Sequence, residues 1–163
     1  NTRYEEMLEV AEAIGLTSID MLAGVDGVPE ELEPKLKARL KHVLSECGRV
    51  KRAAKAIETR EWKVLGSLMN QSHASLRDDY EVSCPELDTI VSLAQAQKGV
   101  LGARLTGGGF GGCAIALCQK NSVQSWQKEV EKAYREIFGY NPNIFEASFS
   151  KGVKLTRVLS DSK

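Results

Sequence analysis

The sequence predicts an α+β sandwich, with helices on one face of a small antiparallel sheet. Two observations predict it. Across roughly the first 98 residues, apolar side chains recur at steps of three and four, the period of a helix buried along one stripe. After Gly99 the period changes. Val100 to Thr106 and Gly112 to Leu117 are short apolar runs bounded by glycines, as strands are.

Each element has a local reason. Tyr4, Met7, Leu8, Ala11 and Ile14 form one helical stripe, stopped by Gly15. Thr17-Ser-Ile-Asp20 caps a short second helix ending near Gly24, and Gly27, Pro29 and Pro34 mark the connector after it. Pro34 suits the first turn of a long helix, in which Leu36, Leu40, Val43, Leu44, Cys47, Val50, Ala54 and Ile57 turn inward. The next helix runs from about Glu61 to Leu76, with Trp62, Leu65, Leu68, Met69 and Leu76 inward. Ser83-Cys-Pro-Glu86 matches a capping box for a further helix, in which Leu87, Ile90, Val91 and Ala94 are inward. Ser122 caps a last helix carrying Val123, Trp126, Val130, Ala133, Tyr134 and Ile137, and Gly139 ends it. Ile144 to Phe149 alternates and reads as a strand, and Val153 to Val158 as another. The 163 residues are expected to form one domain: a helical lead-in and connector (1–33), helices (34–98), and a sheet with its glycine loop and helix (99–158).

Composition narrows the function classes. Lys+Arg and Asp+Glu both number 22, so the net charge is zero. A general nucleic-acid binder would be basic on one face. No apolar run approaches the roughly 20 residues that cross a bilayer, so no membrane contact is expected. The start, Asn1-Thr-Arg-Tyr-Glu-Glu, has no signal-peptide pattern and no initiator Met, which suits either a processed chain or a piece of a longer one. Cys47, Cys84, Cys113 and Cys118 form no C-x-x-C pair, and reduced thiols in a cytoplasmic protein are expected.

The densest feature is Arg-Leu-Thr-Gly-Gly-Gly-Phe-Gly-Gly over residues 104–112. Glycine loses the most backbone entropy on folding, so five in six positions are costly unless φ > 0 or close approach of a ligand demands them. Such a loop can cradle phosphate, give close approach to a sugar or another domain, or serve as a plain turn. Thr106, Gly107, Gly108, Gly109, Phe110, Gly111 and Gly112 are the candidate site residues, with ligand proximity favoured. The loop is not a P-loop, because no Gly-Lys-Ser/Thr follows. A second cluster, Arg77, Asp78, Asp79 and Glu81, is either a polar network supporting a site or a helix-end charge cluster, the two weighted evenly. Arg77 is suited to pair bidentately with a carboxylate, and the adjacent Asp78 and Asp79 need not share a face. The basic run Lys35, Lys37, Arg39, Lys41, Arg49, Lys51, Arg52 and Lys55 is expected to be a solvated helix face. His73 is expected to be a structural hydrogen-bonding residue, Cys113 a small buried residue, and Trp62 and Trp126 core.

These residues resemble the C-terminal half of galactokinases, within the GHMP small-molecule kinase superfamily. Gly102-Ala-Arg-Leu-Thr-Gly-Gly-Gly-Phe-Gly-Gly-Cys113 is similar to that family's third motif. Ser72-His-Ala-Ser-Leu-Arg-Asp-Asp-Tyr-Glu-Val-Ser-Cys-Pro-Glu-Leu-Asp88 and Arg39-Leu-Lys-His-Val43 are similar to galactokinase segments upstream of it. The resemblance runs from about Asn1 to about Gly152. It implies a ferredoxin-like two-layer sandwich. It also implies transfer of the ATP γ-phosphate to the anomeric hydroxyl of galactose, with Mg²⁺, and a glycine loop beside sugar and nucleotide phosphates.

In that family the Ser-rich phosphate loop, the catalytic Asp and the sugar-binding acids lie in the N-terminal half. The resemblance therefore implies a C-terminal portion that binds no ATP or Mg²⁺ by itself and is inactive alone. Its expected partners are an N-terminal kinase domain and galactose, with self-association through the apolar interdomain surface. N-acetylgalactosamine kinase and a galactokinase-like sugar-sensing module are the alternatives, and the residues that separate them lie upstream.

Overall fold

A computed structural model describes residues 2–147. The chain runs α1 (Thr2–Ala13), a 3-10 turn (Ile19–Gly24), α2 (Pro34–Glu58), α3 (Trp62–Asp78), α4 (Pro85–Gln95), β1 (Val100–Thr106), β2 (Cys113–Cys118), a one-turn 3-10 helix (Lys120–Ser122) and α5 (Val123–Phe138). β1 and β2 pair antiparallel, Thr106 opposite Cys113 and Ala103 opposite Ala116. The fold is α+β, with α4 packed on one face of the sheet and α3 against the edge of β1 that β2 leaves free. Ala103, Leu105, Ala114 and Ala116 turn toward buried Leu76, Leu87, Val91 and Ala94, while Ile115 on the opposite face is exposed.

The local signals act largely where the sequence puts them. Ser18 Oγ accepts from the Asp20 N–H at the head of the 3-10 turn. Pro34 occupies the first turn of α2, and Gly139 ends α5 in the left-handed conformation with φ 80°. Two expected caps do not form. Cys84, not Ser83, precedes α4, because Pro85 fixes the first helical turn, and the Ser83 hydroxyl donates to Asp88 instead. The Ser122 hydroxyl donates to the Gln119 carbonyl and caps nothing in α5. Residues 144–147 form no strand; the rest of the Ile144–Phe149 run and all of Val153–Val158 lie outside the described residues.

Helix α3 holds the molecule together through two seams. One faces β1. Gly66 lies so close to the strand that an added Cβ would sit 2.2 Å from the Leu101 carbonyl oxygen, and one on Gly102 would sit 2.1 Å from the Gly66 oxygen. Four and seven residues on, Asn70 Oδ1 accepts from the Ala103 N–H at 2.9 Å and His73 Nδ1 accepts from the Leu105 N–H at 3.3 Å. Ala103 and Leu105 are buried, so an unpaired N–H at either would cost about 1–3 kcal/mol. The other seam faces α2 and is polar. Ser72 donates to Glu46, Ser75 pairs with His42 Nδ1 at 3.0 Å, and the Asp79 carboxylate accepts from Lys41 and from Ser75.

Several apolar residues expected inward are exposed. Val50 and Ile57 lie beyond the part of α2 that α1 and the 3-10 turn cover, which is Leu36, Leu40, Val43 and Leu44. Trp62 precedes the Gly66 contact with β1 by one helical turn and is 44% exposed. Tyr4, Leu8 and Ile137 are also exposed, whereas Trp126 is buried as expected.

Arg39 departs furthest from expectation. It belongs to the basic run read as a solvated face, yet its side chain is fully buried. Nε donates to Glu6 Oε2 at 2.7 Å, and the two terminal nitrogens donate to the Asp79 carbonyl and to Glu81 Oε2 at 2.6 Å. Five guanidinium N–H groups in a rigid fork allow one side chain to tie α1 to the α3–α4 turn. The neighbouring lysines do face water: Lys35 pairs with Glu6, and Lys37 with Glu30.

Candidate functional site

The glycine loop leaves β1 at Thr106 and returns to β2 at Cys113, lining an open depression with its own backbone. Gly107, Gly109, Gly111 and Gly112 have φ between 79° and 120°, and Phe110 itself sits at φ 59°. That conformation favours glycine at four of the five positions, which accounts for most of the entropic cost. Gly108 is the exception, with neither a left-handed φ nor any atom within 4 Å of an added Cβ. The space beside Gly107, Gly111 and Gly112 is equally open, so the loop presents bare backbone outward.

One point fixes the loop to the body. The Phe110 N–H donates to the Val82 carbonyl at 2.7 Å, and a Cβ on Gly109 would lie 2.1 Å from the same oxygen. Val82 is buried with Leu76, Leu87 and Leu105. The Phe110 ring points into solvent, 69% exposed, and Cys113 is exposed instead of buried because it ends the loop at the strand's open face.

The second sequence cluster lies behind the loop, and of its four residues Asp79 and Glu81 are tied into the body of the fold while Arg77 and Asp78 face outward. Arg77 pairs bidentately with Asp78 at 2.7 and 2.9 Å, and both are exposed. The Arg77 hydrogen bond holds the Asp78 carboxyl below the usual carboxylate range. Asp79 turns the other way, toward Ser75 and Lys41, so the two aspartates do not share a face. The residues that bind the segment are Arg3, which donates to the Tyr80 and Glu81 carbonyls at 2.6 and 2.9 Å, and Arg39. Together they hold Glu81 at φ 53°, the turn that delivers Val82 to the loop.

Electrostatics in this support are strong. Burial raises the Glu6 pKa, but hydrogen bonds from Lys35 and Arg39 and the charges of Arg39 and Arg3 outweigh it and bring it down to about 2. Burial pushes the His73 pKa below its ordinary value against the opposing pull of Asp88. Sequence reading misses Arg3, Arg39, Asn70 and Val82. A signal for Arg39 exists: Arg39, His42, Glu46 and Arg49 recur at steps of three and four, a polar stripe at helical spacing.

Residues 53–136, just over half of the chain, match the model of the family described as GHMP kinases C terminal. The chain belongs to the GHMP kinase C-terminal family. This GHMP kinase segment is 51% identical over 116 residues to the galactokinase of Staphylococcus saprophyticus, covering 71% of this chain and 30% of that protein. It is 47% identical over 137 residues to the galactokinase of Clostridium perfringens, covering 84% and 35%. With the galactokinase of Staphylococcus carnosus the identity is 39% over 168 residues, covering 96% of this chain and 43% of the relative. The structure of Lactococcus lactis galactokinase complexed with galactose matches with a TM-score of 0.80 at 39% identity, over 86% of this chain and 38% of that one. The chain thus spans well under half the length of these relatives. No helix among the described residues is long and apolar enough to cross a membrane.

Proposed function

We propose that this chain forms the C-terminal portion of a galactokinase, and that its glycine loop walls one side of the cleft where ATP phosphorylates the anomeric hydroxyl of galactose. The observation that carries this reading is the pinned loop, whose backbone is bare on both sides of Phe110. Gly109 and Phe110 are anchored on Val82, while Gly107, Gly108, Gly111 and Gly112 leave open space beside the backbone. Bare backbone is what close approach of a sugar hydroxyl or a phosphate oxygen requires. The galactokinase relatives at 39–51% identity support galactose as the sugar.

In phosphoryl transfer the protein acts mainly by positioning the reactants and stabilising charge. The contribution proposed for this chain is positioning and exclusion of side chains from the cleft. Thr106 through Gly112 are the proposed substrate-proximal residues, and Arg77, Asp78 and Asp79 belong to the polar segment behind them. Among the described residues no cluster of three His, Cys, Asp or Glu side chains could hold a metal ion. The partner in this reading is an N-terminal kinase domain that completes the cleft, and the chain by itself is inactive.

A chimera tests the reading. This chain replaces the corresponding C-terminal segment of the Staphylococcus saprophyticus galactokinase, and galactose-dependent ADP formation is followed. The chimera is expected to turn over and the isolated chain is not. A folded chimera without galactose-dependent turnover would reject the assignment, and turnover by the isolated chain would reject its inactivity.

A further inference from the structure

β1 has two edges, and β2 occupies only one of them. On the other edge stand the N–H groups of Ala103 and Leu105, both buried where water cannot serve them. A third strand would ordinarily accept from them. Here α3 does so with side chains. Asn70 Oδ1 takes the Ala103 N–H, and Gln95 Nε2 donates to both Asn70 Oδ1 and the Ala103 carbonyl at 3.0 Å. Three residues on, His73 Nδ1 takes the Leu105 N–H. Gly66, on the same stripe of α3, lets the helix come close enough for these bonds to form.

We infer that His73 is a positioning residue for the glycine loop: with Asn70 it substitutes for a neighbouring strand and fixes the direction in which β1 delivers Thr106 to Gly112. This rests on the reading of the loop as the cleft wall. The Leu105 bond is the last side-chain anchor on β1 before the loop, and the Phe110–Val82 bond is the next tie along the chain. Leu105 and Val82 pack in one buried cluster, so the two anchors share a foundation.

The chemistry of His73 makes this anchor conditional. Accepting at Nδ1 places the proton of the neutral ring on Nε2, which is buried, makes no hydrogen bond among the described residues, and lies 3.4 Å from Asp88 Oδ1. Asp88 of α4 and Asp78 of α3 favour a charged ring; Arg77 of α3 and Arg104 of β1 oppose it, as does burial. A doubly protonated His73 has no lone pair for the Leu105 N–H. The anchor is therefore intact at neutral pH and released in acid.

Amide hydrogen exchange on the full chain tests this, with His73→Asn and His73→Leu. Asparagine keeps an acceptor near the position of Nδ1, and leucine removes it. In His73→Leu the Leu105 amide is expected to exchange about tenfold faster, and His73→Asn is expected to restore most of the protection. In the wild-type chain the same amide should lose protection as pH falls below 6.5, after correction for intrinsic exchange. In the galactokinase chimera His73→Leu should lower kcat/KM and His73→Asn recover it. Unchanged Leu105 exchange in His73→Leu, failure of His73→Asn to restore protection, or unchanged kcat/KM in His73→Leu would overturn the inference. If His73→Leu does not fold, the wild-type pH series decides, and pH-independent protection overturns it. Exchange is read without substrate, so an inactive chimera would reject the kinase reading and leave the exchange result standing.

Discussion

The backbone N–H of Phe110 donates to the carbonyl of Val82 at 2.7 Å, joining the exposed glycine loop to the buried turn between α3 and α4. The two glycines just before this bond therefore have different jobs. Gly109, at φ 79° and pressed against the Val82 oxygen, serves the anchor; Gly108, unconstrained by φ or packing, serves the open space. Gly109→Ala should destabilise the chain by about 1–3 kcal/mol, through the left-handed φ and the clash. Gly108→Ala should stay within about 0.5 kcal/mol of wild type. Thermal or urea unfolding of the two variants checks the contrast, and equal effects would remove Val82 as the anchor.

Arg39 and Glu6 form a fully desolvated pair 2.7 Å apart, their side chains 0% and 4% exposed. Removing one partner leaves Glu6 with Arg3 and Lys35, or Arg39 with Glu81, so the loss is that of a charged hydrogen bond, about 1.5–3 kcal/mol, and falls short of the cost of an unpaired buried charge. Glu6→Gln and Arg39→Met are expected to show losses of that size in urea unfolding. Lys37→Met, which removes only a pairing with the exposed Glu30, should cost under about 1 kcal/mol.

Stability should fall in two stages as pH drops. The His73 and His42 pKa values are both pushed below 6.5 by burial, so their contribution is complete above pH 6.5 and erodes below it. Glu6 is held at about 2 against an ordinary 4.5, so its contribution is present above pH 4.5 and is lost as pH falls toward 2. By linkage that loss amounts to about 3 kcal/mol. Melting curves between pH 8 and 3 should show both stages, and Glu6→Gln should shrink the second, to which Glu46, Asp78 and Glu81 also contribute, while leaving the first in place.

The Gly66–Gly102 contact predicts a cost at a position that looks permissive from sequence. Gly66→Ala normally helps a helix by about 1 kcal/mol. Here the methyl group meets the Leu101 carbonyl, and a net loss of about 1–3 kcal/mol is expected in equilibrium unfolding.

What could be read in the sequence follows what each signal measures. Periodicity and end signals report local backbone preference, and α1 through α5, the connector and the two strands lie where these signals put them. The glycine loop was legible for the same reason, since four of its five glycines take left-handed φ values. Periodicity does not report how far a neighbouring element extends, so Val50, Ile57 and Trp62 carry a core pattern in the sequence and are exposed in the fold. Charge counting does not report desolvation, so Arg39 was read as solvated. The supports of the candidate site were illegible because they join distant positions: Val82 with Phe110, His73 with Leu105, and Arg3 with Tyr80. Within the second cluster, the Arg77 bidentate pairing was legible, but Val82, which carries the contact with the loop, was not.

The most direct test of the loop as a cleft wall is the ratio of kcat/KM for galactose between the Gly108→Val chimera and its parent. Gly108 has open space around it, so the side chain should obstruct the cleft without unfolding the protein. The account predicts at least about a tenfold fall in kcat/KM, the loss expected from misplacing reactants by about 1 Å, with the melting temperature unchanged. An unaltered kcat/KM in a folded Gly108→Val chimera would contradict it.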